Sequence, residues 1–364
     1  MPARRPVLAA FAAIAAIAAI AAAVAGCGPL SRGIPPSVLP SGAPSGIPSG
    51  SSGPSVQAPA TRLTVGLGYI PSVQFAPFYL AQNAGYYRGA GLEVTFENKI
   101  DPDLVTLVGQ GSIDVGVADG TSVIPAVSQG IPIRYIATIY GTYPSIVFSK
   151  ASSAIATAAD LKGKRLGIPG KYGSSWIMLQ ALLKSANLTP DDLTVVEYPD
   201  FGQGVAVQQG AVDAATGFAN NEPVVLELNS GPATVLHVDD VVALPGPGLI
   251  SGVSTLDTKA AAVRAFVAAT IQAMSEISAD PSVGLKAAFE TVPELASDEV
   301  GQAAILAATI KTWSRPGTSS SGPFGLIDRA GWEASLAYLT ELRLVPNPVT
   351  VDDLIRTDLL PDRP

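Results

Sequence analysis

Residues 110–118 read QGSIDVGVA, and residues 209–217 read QGAVDAATG. Both stretches begin with Gln-Gly, place an Asp at the fifth position and continue into small and apolar residues that are typical of a buried strand. In each copy the apolar run leads to a polar cluster, which is DGTS at 119–122 and NNE at 220–222. The repeat therefore predicts two similar halves, each with polar residues where a central strand ends.

The pattern around each copy predicts an α/β chain. In the first half, predicted strands at 63–69, 92–96, 113–118 and 133–139 alternate with helices at 75–86, 101–108 and 121–129. The second half restarts with strands at 165–168, 195–198 and 213–218 and a helix at 175–187, and helices at 259–278, 281–291, 297–313 and 328–342 follow. Such alternation indicates βαβ units on parallel sheets. We expect two lobes with a central cleft, and ligands in such sheets bind beyond the carboxyl ends of the strands.

The N-terminal segment predicts export. Arg4 and Arg5 precede an uncharged apolar run from 7 to 26, which describes a signal peptide over 1–26. The run ends in Val-Ala-Gly-Cys, which resembles the bacterial lipobox and implies that Cys27 receives lipid; an uncleaved membrane anchor is the alternative. The Ser-, Gly- and Pro-rich residues up to 60 predict a flexible linker, so we expect a tethered, extracytoplasmic protein.

The composition excludes several classes of function. The chain has one Cys and one His, Cys27 and His237, so neither a disulfide nor a two-histidine metal site can form. The formal net charge is -8 without Lys/Arg clusters, which argues against a nucleic-acid partner. Gly66-Leu67-Gly68 is followed by Pro71 where a dinucleotide fingerprint needs Gly. We expect no metal, no cofactor and no catalytic residue.

Aromatic and amide side chains cluster in the loops that follow the predicted strands. Stacked rings hold flat ligands at about 1 kcal/mol per pair beyond area burial, and a few polar groups fix the orientation. Asp114 and Asp213 begin their strands at the opposite end, so we expect structural roles for them. The candidate ligand-binding residues are Tyr69, Gln74, Phe75, Asp119, Tyr140, Tyr143, Tyr172, Trp176, Asn220 and Glu222. Some of these rings are as compatible with core packing as with a pocket.

Several stretches in order resemble one family. They are YIPSVQFAPFYLA at 69–81, the Gly- and Tyr-containing 85–94, the first repeat at 109–116, DLKGKRLG at 160–167 and 210–214. Together they resemble the thiamine-pyrimidine- and alkanesulfonate-binding proteins of ABC importers, the NMT1/THI5-like group. The resemblance implies a type II periplasmic-binding-protein fold with a hinge. Lobe I would comprise 61–147 and 251–364, lobe II would comprise 148–250, and the chain would cross near 147–149 and 250–252.

The resemblance also implies a function. It indicates a monomeric solute-binding subunit that closes on a small aromatic ligand and delivers it to an ABC permease and its ATPase. The opening at 69–79 is more similar to binders of pyrimidine precursors and riboflavin than to sulfonate binders. Few Lys or Arg residues fall in the strand-end loops, with Lys171 as the exception. This scarcity of cations counts against sulfonate, taurine or nitrate as ligand. The alternatives are such an anion-binding protein, a sensor subunit, and an enzyme similar to fungal pyrimidine synthases, which rely on histidines and a cofactor-bearing Lys.

Overall fold

The computed structural model describes residues 59–99, 103–314 and 323–361. The predicted signal peptide, Cys27 and the linker up to residue 58 lie outside the described residues.

Within the described ranges, ten strands form two mixed sheets of the same design. They are β1 (Thr61–Leu67), β2 (Leu92–Asn98), β3 (Val115–Ala118), β4 (Ile133–Thr138), β5 (Ser145–Lys150), β6 (Arg165–Ile168), β7 (Thr194–Glu197), β8 (Ala214–Phe218), β9 (Ala233–His237) and β10 (Gly248–Gly252). The sheet orders are β2-β1-β3-β10-β4 and β7-β6-β8-β5-β9. In each sheet the first three strands of this order are parallel. The fourth strand, β10 or β5, runs antiparallel to both of its neighbours. The two halves predicted from the repeat are thus two sheets with matching topology.

Helices cover both sheets. They are α1 (Ala76–Asn83), α2 (Tyr86–Gly89), α3 (Asp103–Gly109), α4 (Gly120–Ser128), α5 (Gly173–Ser185), α6 (Gln203–Gln209), α7 (Glu222–Ser230), α8 (Val253–Ala279), α9 (Pro281–Thr291), α10 (Glu299–Thr312) and α11 (Arg329–Glu341). Among the described helices, α8 is long and apolar enough to cross a membrane on length and composition alone. Its buried Val263, Phe266 and Ile277 pack in the core of the first sheet.

The repeated Asp residues join neighbouring strands. The carboxylate of Asp114 accepts hydrogen bonds from the Thr64 amide at 2.9 Å and from Lys259 Nζ at 2.8 Å. The carboxylate of Asp213 accepts from the Arg165 amide at 2.8 Å and from the same residue's guanidinium, also at 2.8 Å. Each Asp thereby fixes the start of β3 or β8 against the adjacent parallel strand, which is the structural role expected from its position.

The chain crosses between the sheets earlier than the sequence indicated. We predicted crossings near 147–149 and 250–252, but β5 pairs along 145–150 with β8 and β9 of the second sheet. Likewise, β10 pairs with β3 and β4 of the first sheet from Gly248 onward. The crossings therefore lie at about 139–144 and 238–247. The reason is that a short buried apolar run such as β5 does not indicate which of two sheets it joins, although Gly141 and Pro144 before it do mark a turn.

Candidate ligand-binding cleft

A cleft opens between the two sheets at the carboxyl ends of their parallel strands. Its main cavity contains about 740 Å³ of open space and is lined from the first lobe by Gly68, Tyr69 and Gln74. The second lobe contributes residues that follow β6, β7 and β8: Pro169, Tyr172, Gly173, Ser174, Ser175, Phe201, Gln203, Gly217, Phe218, Asn221 and Glu222. A neighbouring cavity shares Tyr69, Gln74 and Phe218 with it and reaches further into the first lobe. The two cavities form one site.

Aromatic rings from both lobes face each other in this site. The rings of Tyr69 and Phe201 lie edge to face, with centroids 5.2 Å apart and planes at 87°. Tyr172 stands at the rim with 45% of its surface exposed. Its ring lies so close to Gly170 that a Cβ on that glycine would be 2.2 Å from it. The walls are therefore suited to a flat ligand that can stack on, or meet edgewise, several rings.

The turn that carries Phe201 is strained. Phe201 has a φ of +61°, in the left-handed region that bulky residues rarely adopt. Its amide donates to the Tyr198 carbonyl at 3.0 Å, and the Gly202 amide donates to Asp200 Oδ1 at 3.1 Å. Such conformations cost about 1–3 kcal/mol and concentrate at ligand clamps and active sites. The strain supports a functional reason for placing an aromatic ring here.

Two glutamines line the main cavity with opposite ends of their amides engaged. Gln74 sits in a 3-10 turn (Val73–Phe75) and its Oε1 accepts from Tyr140 Oη at 3.2 Å. Gln203 begins α6, and its Nε2 donates to the Thr216 carbonyl at 3.4 Å. The Oε1 of Gln203 is buried and has no hydrogen-bond partner within the described ranges. A buried acceptor without a partner is uncommon in native proteins.

Glu222 is the acidic group of the main cavity. It is the first residue of α7, and its Oε2 accepts from the Phe218 amide at 2.8 Å. Desolvation raises the pKa of this carboxyl above its usual range. Burial and, to a smaller extent, the nearby Glu222 carboxylate raise the pKa of Tyr69, so the Tyr69 hydroxyl remains a neutral donor. Glu222 can accept a hydrogen bond from a ligand when ionised and donate one when protonated.

The charge of the described lining residues limits the ligands that the cleft can hold. Of the described residues that line the two cavities, none is Lys, Arg or His. Lys171, the cation that the sequence placed near the site, instead lies 5.9 Å from the ring centroid of Trp176. The wall is therefore neutral to acidic, and it suits uncharged or cationic ligands better than anions.

Most of the predicted site residues come together in the cleft. Those that line one or both cavities are Tyr69, Gln74, Phe75, Asp119, Tyr140, Tyr172 and Glu222. Asp119 also caps α4, because its Oδ1 accepts from the Thr121 amide at 2.8 Å and from the Thr121 hydroxyl at 2.6 Å. Asn220 is fully buried beside the cavities, where its Nδ2 donates to Thr309 Oγ1 of α10 at 2.9 Å. It links the second lobe to a helix of the first.

Two further predicted residues do not line either cavity. Tyr143 is buried in the core of the second lobe, and its hydroxyl is 3.3 Å from Thr121 Oγ1. Trp176 is the fourth residue of α5, and its ring packs against the same core. The ring lies on the face of α5 that packs against this core, so proximity in sequence to Tyr172 did not put the indole in the cleft.

Sequence reasoning missed Phe201, Gln203 and Phe218. Phe201 follows β7 at its carboxyl end, so the rule that selected the other loops would have included it. Gln203 begins α6, a helix that the sequence analysis did not identify. Phe218 is the last residue of β8, and the alternation along the strand did not indicate whether its side chain faces the cleft. Of the three residues, only Phe201 could have been predicted from the sequence.

Comparison with known proteins places the chain in a family. The family model described as NMT1/THI5 like matches residues 72–283, more than half of the chain. The riboflavin-binding protein RibY of Chloroflexus aurantiacus is 29% identical over 312 residues, which cover 85% of this chain and 88% of that protein. The 4-amino-5-hydroxymethyl-2-methylpyrimidine phosphate synthase THI13 of Saccharomyces cerevisiae is 26% identical over 253 residues, or 65% and 73% of the two chains.

Solved structures share the fold. The alkanesulfonate-binding protein SsuA from Xanthomonas axonopodis pv. citri, bound to MOPS, has a TM-score of 0.64 and 21% identity and covers 82% of this chain and 99% of that one. The two-lobed periplasmic-binding-protein fold expected from the sequence is thereby confirmed. The matched range begins at the loop that carries Gln74 and extends through β10 into α9, so it includes every second-lobe residue that lines the cleft. The chain belongs to the NMT1/THI5-like family.

Proposed function

We propose that the protein is the extracytoplasmic solute-binding subunit of an ABC importer and that it captures a small aromatic heterocycle, either riboflavin or a pyrimidine precursor of thiamine. The observation that carries the proposal is a cleft with aromatic rings on both lobes and no cationic side chain among its described lining residues. The similarity to a riboflavin-binding protein along most of both chains supports it.

The chemistry of the cleft agrees with such a ligand. Pockets for small molecules typically combine apolar walls with a few polar groups. Here Tyr69, Tyr172, Phe201 and Phe218 supply the apolar contact, and Gln74, Gln203 and Glu222 supply hydrogen bonds. Because the rings come from both lobes, a flat guest would touch both at once and would favour the closed arrangement over the open one.

A sulfonate is the second candidate, and one observation favours it. The side chain of Tyr172, the N-cap residue of α5, makes no hydrogen bond to the amides of the first turn. Ser174 and Ser175 of that turn line the cavity. A helix N-terminus of this kind can hold an anion. Against it, the Glu222 carboxylate lies in the same cavity with no cationic side chain beside it, and a buried anion needs a compensating charge. The heterocycle is therefore the preferred ligand.

The proposal includes no catalysis, although pyrimidine synthases are among the relatives. The single histidine, His237, ends β9 on an exposed surface and does not line either cavity. Without a lining His or Lys, the described site offers binding groups and lacks the residue types that the enzyme alternative requires. The proposed role is capture by lobe closure.

We also propose that lipid on Cys27 tethers a monomer to the outer face of the cell membrane. The lipobox-like sequence supports the anchor. The parent chain expressed in a bacterial host should incorporate radiolabelled palmitate, whereas a Cys27→Ser variant should not. An unlabelled parent chain, or equal labelling of both forms, would contradict the lipid anchor.

A panel of ligands tests the main proposal. Thermal unfolding of the purified protein should shift upward with riboflavin or hydroxymethylpyrimidine, since a ligand at about 100 times its Kd stabilises the native state by about 2.7 kcal/mol. Taurine and ethanesulfonate should leave the midpoint unchanged. A shift with the sulfonates and none with the heterocycles would refute the proposed ligand class.

A further inference from the structure

We propose that Gln74 and Gln203, one from each lobe, recognise a ligand edge that carries a hydrogen-bond acceptor beside an N–H donor, such as the carbonyl and imide N–H of a pyrimidinedione ring. The inference rests on the proposed function of the cleft. It adds the chemical group that is recognised and the two residues that recognise it.

Gln74 presents the donor. Its backbone is fixed in the 3-10 turn whose N-cap is Ser72, and the side chain is 7% exposed. The hydroxyl of the buried Tyr140 donates to its Oε1 at 3.2 Å, so that end of the amide is occupied. The Nε2 end remains for the two cavities that this side chain lines. An amide held in this way offers an N–H to the ligand.

Gln203 presents the acceptor. The side chain is 1% exposed and lines the main cavity from the start of α6. Its Nε2 faces the Thr216 carbonyl at 3.4 Å. The reversed amide would set two oxygens against each other, so the contact fixes the orientation. Oε1 is left buried and, within the described part of the chain, without a partner.

The second lobe adds another acceptor near Gln203. A Cβ on the adjacent Gly204 would lie 3.4 Å from Glu222 Cγ, which places the Glu222 side chain against the first turn of α6. The first lobe thus offers a donor, and the second offers the amide oxygen and a carboxylate. A ring with N–H and C=O on one edge satisfies both lobes. A sulfonate has only acceptors and would leave Gln203 Oε1 unpaired.

The test compares riboflavin with N3-methylriboflavin, in which the imide N–H is replaced by a methyl group. Equilibrium quenching of flavin fluorescence would be measured with the full chain, its Gln203→Met and Gln74→Met variants, and Gln180→Met as matched control. Gln180 lies on α5 with its Nε2 on the Trp176 carbonyl at 3.3 Å, and it lines neither cavity.

We expect the parent protein to bind riboflavin about tenfold more tightly than the methylated flavin, because one hydrogen bond in a dry site is worth about that factor. Gln203→Met should weaken riboflavin binding about tenfold and abolish the preference over the methylated flavin. Gln74→Met should weaken both flavins by a similar factor, and Gln180→Met should change neither.

The failures are distinguishable. If the parent binds both flavins equally, or if Gln203→Met keeps the preference, this inference is overturned while the proposed function stands. If the parent binds neither flavin, riboflavin is excluded as ligand and the inference falls with it. Circular dichroism checks that each variant is folded; should Gln203→Met not fold, the parent's preference and the Gln74→Met result decide.

Discussion

The two lobes share a sheet topology but use the ends of their central strands differently. After β3, the first lobe places Asp119, whose carboxylate accepts two hydrogen bonds from Thr121 and begins α4. After β8, the second lobe places Asn220, Asn221 and Glu222, and the Glu222 carboxylate keeps one backbone partner while it lines the main cavity. Both Asp119 and Glu222 line the cleft, but only Asp119 also caps a helix through its side chain, so equivalent polar clusters in a repeated framework differ in how far they are committed to local structure.

The strongest expected difference between the lobes concerns the repeated Asp residues. Asp114→Ala should lower the free energy of unfolding by about 3 kcal/mol, because it removes a carboxylate that is only 12% exposed and accepts two hydrogen bonds, from the Thr64 amide and from Lys259. Asp213→Ala should cost about 1 kcal/mol, since its ion pair with Arg165 lies at the surface. Urea unfolding of both variants measures the difference. Equal losses would show that the two copies are energetically equivalent.

The next effect separates capping from ligand contact. Glu222→Gln should weaken ligand binding by about 2 kcal/mol, the value of a hydrogen bond to a charged group, with little loss of stability. Asp119→Ala should lower stability by about 1 kcal/mol through the lost cap and should affect binding less. Paired riboflavin titration and urea unfolding measure both quantities. A larger binding loss in Asp119→Ala would reverse the assignment of the two clusters.

A smaller effect is expected from the rings. Phe201→Ala and Tyr69→Ala should each reduce affinity about tenfold, and the double variant should lose less than the sum because the two rings touch. Trp176→Phe is the control, since its ring packs in the core of the second lobe. Ligand titration of the four variants gives the coupling. An effect of Trp176→Phe as large as that of Phe201→Ala would place the indole in the site.

The smallest effect concerns pH. The pKa of Glu222 is raised by desolvation, so the folded chain holds a proton that the unfolded chain releases at lower pH. This group's contribution to stability is therefore present below the usual Glu pKa and is lost as pH rises through the raised value. Stability without ligand should fall across that window in the parent and not in Glu222→Gln. The same slope in both proteins would assign it to another group.

Local patterns predicted the framework. Most strands of both lobes, the structural Asp residues at 114 and 213 and the helices after 252 follow from local patterns, and their positions agree with the structure to within a few residues, apart from the earlier start of α8. That helix begins at Val253, six residues before the predicted start, and its irregular Lys259 reaches Asp114. The antiparallel strands β5 and β10 were not among the predicted strands. The loops 69–75 and 172–175, which the sequence analysis selected, contribute residues that line the cleft.

The remainder depends on tertiary contacts. The helices α6 and α7 are short, at seven and nine residues, and gain their order from packing against the second sheet. The direction of Trp176 is set by the core beneath α5, and the orientation of each cleft glutamine is set by Tyr140 or by Thr216, which are distant in sequence. No local sequence pattern carries such information. Which glutamine offers an acceptor and which offers a donor could therefore be read only from the structure.

One measurement tests the central claim that a flat ligand is held between rings of both lobes. Riboflavin fluorescence should be quenched in a saturable, one-to-one titration with a Kd in the micromolar range or tighter, and Tyr69→Ala of the first lobe and Phe201→Ala of the second should each weaken it. Loss of binding from only one of these variants, or tight binding that survives both, would contradict a site shared by the two lobes.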